Sequence, residues 1–85
     1  MICQVYRSDT KIGMYLYLAN DKEMDDLPEE LLKLIGKYTH AIELDLETRN
    51  SLANEDIEAV KANLKDKGYH VQLPRNLIID VLNYQ

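Results

Sequence analysis

Apolar and polar positions change period several times along this 85-residue chain, and each change marks a new element. From Ile2 to Arg7 the β-favouring Ile2, Val5 and Tyr6 alternate loosely with polar residues. Met14 to Leu18 repeats the pattern, with Tyr15 and Tyr17 on one face and Met14, Leu16 and Leu18 on the other, which is the two-residue period of a strand. The intervening SDTKIG supplies turn formers and a glycine, so the two runs predict a β-hairpin. Leu27, Leu31, Leu34 and Ile35 then recur at helical spacing. Asp25 or Asp26 can cap that helix, Asp26 and Glu29 have capping-box spacing, Pro28 suits the first turn, and Gly36 is placed to end it.

Residues 39–46, THAIELDL, alternate again, which predicts a third strand with Ile42, Leu44 and Leu46 inward and Ala41, Glu43 and Asp45 outward. Asn54 is the expected cap of a second helix whose acids Glu55, Asp56 and Glu58 sit near its start and whose Lys65 and Lys67 sit near its end. Its buried stripe is Ile57, Val60 and Leu64, and Gly68 stops it. Tyr69 to Leu73 reads as a fourth strand closed by Pro74. The tail NLIIDVLNY, with Asn76 as cap, is apolar on nearly every side and reads as a helix that lies against the sheet or a partner. The expected element order is therefore β-β-α-β-α-β-α in a single α/β domain covering residues 1–85, too short for two cores.

Charge and composition narrow the classes. The net charge of −5 repels phosphate backbones, and the ten basic residues are spread along the chain, so direct nucleic-acid binding is not expected. One cysteine forms no internal disulfide and suits a reducing cytoplasm. No basic n-region and no apolar run of membrane-spanning length is present, so the expectation is a soluble cytoplasmic protein without a membrane partner.

Three blocks, CQVYRS followed by YLYL, then LPEELLKLIG, then NEDIEAVKANLKDKGYHVQLP, together resemble the YcgL domain family, small proteins of gammaproteobacteria. The resemblance runs from Met1 to about Leu82. It implies a single-domain cytoplasmic α/β/α sandwich, and it brings no catalytic motif to place on these residues.

Cys3 and Arg7 enclose only Gln4, Val5 and Tyr6, too few and too strand-like for a loop whose backbone curls around a phosphate, so Cys3 reads as a buried small hydrophobe. Glu43, Asp45 and Glu47 share one side of a strand and could offer oxygens to a hard cation, but outward acids on an alternating strand are normally solvated. His40, His70 and Cys3 would make an incomplete zinc set and read as structural. Neither a phosphate-binding nor a dinucleotide-binding glycine motif occurs, so no metal or other cofactor is expected.

All six aromatics are tyrosines, which must find hydroxyl partners or sit at the edge of the core. Tyr6, Arg7, Tyr15 and Tyr17 form the candidate binding patch, because Tyr and Arg are enriched at interaction hot spots. The function expected from the sequence is a non-enzymatic protein-interaction or regulatory module with a protein partner. The competing readings are an RNA-associated accessory factor and an enzyme with a small-molecule site drawing on Arg7, Ser8, Asp9, His40 and Tyr17.

Overall fold

The computed structural model describes residues 1–48 and 56–74. Four strands, β1 (Ile2–Ser8), β2 (Tyr15–Ala19), β3 (Tyr38–Asp45) and β4 (Tyr69–Gln72), form one sheet in the order β3-β1-β2-β4. Every pairing is antiparallel. Helix α1 (Glu29–Ile35) connects β2 to β3 and helix α2 (Ile57–Asp66) connects β3 to β4. The described order is thus β-β-α-β-α-β, and the helix expected in the tail lies outside the described residues. The predicted hairpin becomes the central strand pair, with Val5 opposite Tyr17 and Tyr6 opposite Leu16.

Strand alternation divides the core in two. Cys3, Val5, Tyr17 and Leu44 cluster with Val60 and Leu64 of α2. Leu16 and Leu18 cluster with Met14, Met24, Leu27 and Ile35, and Leu31, Leu32, Tyr69 and Val71 pack around them. The faces of β2 are those its sequence predicts. Burial on both faces of one sheet explains how so short a chain removes this much apolar surface from water.

The helix ends depart from expectation. Residues Met24–Asp26 form a separate 3₁₀ turn, in which the Asp26 carboxylate accepts from the Glu23 N–H at 3.0 Å. Pro28 then occupies the N-cap position of α1, so Asp26 and Glu29 do not form the predicted capping box. Leu27 and Ile35 are buried, Leu31 and Leu32 are half-buried, and Leu34 is 39% exposed. The buried stripe therefore runs through Leu31, Leu32 and Ile35, which share about 100° of helix circumference, and Leu34 falls beyond its margin. Gly36 ends α1 with φ +66° and ψ −137°, where a Cβ would also stand 2.9 Å from Thr10 Oγ1. At α2 the capping residue is Asp56, whose side chain accepts from the Glu58 N–H at 2.9 Å; Asn54 lies outside the described residues.

Strand β3 corrects the third expectation. Leu44 and Leu46 are buried as predicted, but Ile42 is 46% exposed. β3 is at the sheet's edge, and α2 packs mainly over β2 and β4 and reaches β3 near its end, where Leu44 joins Val60 and Leu64. The register slips between Val5 and Tyr6, whose partners are Ile42 and His40, so Ala41 is a bulge residue.

Candidate interaction surface

The hairpin loop is tied to the end of α1 through Ser8. Its buried Oγ donates to the Ile35 carbonyl at 2.7 Å and accepts from the N–H groups of Thr10 at 3.3 Å and Lys11 at 3.0 Å. Lys11 Nζ donates to the Leu34 carbonyl at 2.6 Å, and the Asp9 N–H to the Lys37 carbonyl at 2.7 Å. Ser8 and Lys11 therefore satisfy carbonyls that the short helix leaves open. Asp9 accepts from Thr39 Oγ1 at 2.9 Å, with Arg7 Nε at 3.9 Å, and His40 bonds Gln4. Ser8, Asp9 and His40 thus each serve a different local partner, and no nucleophile–base pair is formed from them.

Cys3 lies in the core cluster against α2. Burial pushes its thiol up, with the N-terminal ammonium opposing, so the reactive thiolate is disfavoured at neutral pH. A disulfide reagent is expected to label the native protein slowly and the urea-unfolded protein rapidly. Because the folded value is the higher one, the stabilising contribution of the buried neutral thiol is complete below the unfolded thiol range. It declines as pH rises through that range toward the folded value. Cys3→Ala is expected to remove this part of the alkaline stability loss in urea melts at stepped pH; an unchanged slope would contradict it.

The sequence-proposed metal sets do not assemble. Glu43 accepts from Gln4 Nε2 at 2.8 Å, whereas the N-terminal ammonium sits 3.7 Å from Asp45 and 3.3 Å from Glu47. His40 on β3 and His70 on β4 occupy opposite edges of the sheet. His70 Nδ1 contacts Asn63 Nδ2 at 2.8 Å. Among the described residues no group of three His, Cys, Asp or Glu is arranged to hold a metal ion.

The sheet also divides the tyrosine patch. Arg7 and Tyr15 are cross-strand neighbours on the α2 face, and Tyr17, two residues on, is 6% exposed and donates its hydroxyl to Gln72 Oε1 at 2.9 Å. Tyr6 is on the opposite face, edge-on to Tyr38 at 5.6 Å and to His40 at 5.3 Å. The four residues consequently do not form one exposed patch: Tyr17 belongs to the core, and Tyr6 to a different surface.

That second surface is not legible as a unit in the sequence. Strand β3 is exposed at every position except Leu44, and it carries Tyr38 and Ile42 at 41% and 46% exposure. Gln4 links its polar residues, accepting from His40 Nε2 at 2.6 Å and donating to Glu43 and to Asn20. The sequence signal for an edge strand was weak, because alternation reads the same at an edge as at the centre. Elsewhere an open cleft of about 560 Å³ lies between the start of β1 and the end of α2, lined in part by Ile2, Asn20, Lys22, Lys67 and Gly68. None of Arg7, Ser8, Asp9, His40 or Tyr17 lines it.

Among the described residues these features define a small α/β domain with a four-stranded antiparallel sheet, two α-helices and a long exposed edge strand. The model of the YcgL domain matches residues 3–75, and the chain belongs to that family. A YcgL domain-containing protein of Cellvibrio japonicus is 44% identical over 80 residues, covering 94% of this chain and 82% of its own. One from Proteus mirabilis is 45% identical over 74 residues, covering 87% of this chain and 76% of its own. One from Pseudomonas fluorescens strain Pf0-1 is 42% identical over 73 residues, covering 86% and 75%.

Proposed function

We propose that this domain is a non-enzymatic protein-interaction module that engages its partner through β3. The observation that carries the reading is the exposure of this eight-residue edge strand on both faces, with Tyr38 and Ile42 left open to solvent. An edge strand offers backbone donors and acceptors to an extended segment, and its side chains then select the partner. The side chains that an enzyme reading needs are committed to structural bonds or buried, as at Ser8 and Cys3. We read the architecture as three layers, α1, sheet and α2, from the two clusters on opposite faces of the sheet. The single buried free thiol suits a reducing compartment such as the cytoplasm.

The test is capture by the tagged protein from lysate with and without nuclease treatment, comparing wild type with Ile42→Asp. Because Ile42 is half-exposed, the variant is expected to keep its circular dichroism spectrum and to lose a protein that the wild type retains. Equal capture by both would remove β3 from the interface. Capture abolished by nuclease alone would transfer the case to RNA association.

A further inference from the structure

We propose that the outer edge of β3 pairs antiparallel with β3 of a second copy, around a two-fold axis between Ala41 and Ile42. This rests on the reading of β3 as the interaction strand and names its partner.

A two-fold edge pairing reverses strand direction but keeps each face of the sheet, so residues brought opposite one another must already point to the same face. In an unbroken strand His40 and Glu43, separated by an odd step, would point to opposite faces. The bulge at Ala41 changes this. Tyr38 and His40 lie opposite Ser8 and Tyr6, and Glu43 and Asp45 lie opposite Gln4 and Ile2, so all four share one face. Thr39 and Leu44 lie opposite Arg7 and Cys3 and share the other. Around an axis between Ala41 and Ile42, His40 therefore meets Glu43 of the second copy, Tyr38 meets Asp45, and Thr39 meets Leu44, each pair on one face.

Charge along the strand favours the same pairing. The segment KYTHAIELDLE at 37–47 has its basic residue and its histidine in the first half and its three acids in the second. Antiparallel pairing lays the half that holds Lys37 and His40 along the half that holds Glu43, Asp45 and Glu47 in the second copy. A parallel pairing would instead place like charges side by side on chains that each carry −5. The exposed Ile42 would be covered by the same contact.

Sedimentation equilibrium of the full chain at low salt tests this with two exposed-residue variants. Glu43→Lys with Asp45→Lys makes the strand wholly basic, and Lys37→Glu with His40→Glu makes it wholly acidic. The wild type is expected to dimerise, each variant alone to associate at least about tenfold more weakly through like-charge contact, and an equimolar mixture to recover a one-to-one dimer. A wild type that stays monomeric, a dimer equally strong in both variants, or a mixture that fails to associate would each overturn the self-pairing. If the wild type is monomeric yet Ile42→Asp still loses a captured protein, the β3 reading stands and only the second copy fails as partner. If Ile42→Asp loses nothing, both fail.

Discussion

Leu16→Ala is expected to destabilise the domain by about 2–5 kcal/mol, the range for emptying a leucine site in a core that only partly collapses. Leu16 is fully buried on a central strand, with Tyr6 and Val71 as its cross-strand neighbours and α1's Ile35 in the same cluster. A domain of this size has about 5–15 kcal/mol of total stability, so the loss is a large fraction of it. At about 4–8 °C per kcal/mol, the melting temperature should fall by more than about 8 °C. Leu34→Ala is the control: the residue is 39% exposed on the outer side of α1, and its loss should cost less than about 1 kcal/mol. Urea midpoints of the two variants decide the orientation of α1. Equal losses would mean that Leu34 faces the core, as the sequence pattern suggested.

Ser8→Ala is expected to cost about 1–3 kcal/mol, because it removes a buried hydroxyl that serves three backbone groups at once. The Ile35 carbonyl loses its 2.7 Å donor, and the Thr10 and Lys11 N–H groups lose their acceptor. The anchor between the hairpin loop and the end of α1 weakens with them. This outcome separates the structural role of Ser8 from a catalytic one, since replacing a nucleophile ordinarily leaves stability unchanged or raises it. Thermal melts of wild type and Ser8→Ala supply the measurement. An unchanged or higher midpoint would return Ser8 to the enzyme reading.

Sequence alone determined the elements that local chemistry dictates. The hairpin, the two-sided β2 with Tyr15 and Tyr17 opposite Leu16 and Leu18, the Val60–Leu64 stripe of α2 and the glycine that ends α1 all follow from period and backbone freedom. Family membership was equally legible, because three blocks in a fixed order form a signature that does not depend on the fold. Tertiary structure alone decided which strands lie at the edge. Periodicity reports which side of a strand is apolar, but strand order depends on hydrogen bonds between segments distant in sequence, and here it sends β3 to β1 and β4 to β2. From that one choice come the exposure of Ile42 and the separation of His40 from His70, while the register of the hairpin divides Tyr6 from Tyr17. The bulge at Ala41 likewise exists only against its partner strand, since an extra residue is extra only when another strand sets the register. The candidate surface was therefore composed of legible residues, and long-range pairing brought them together on one edge strand.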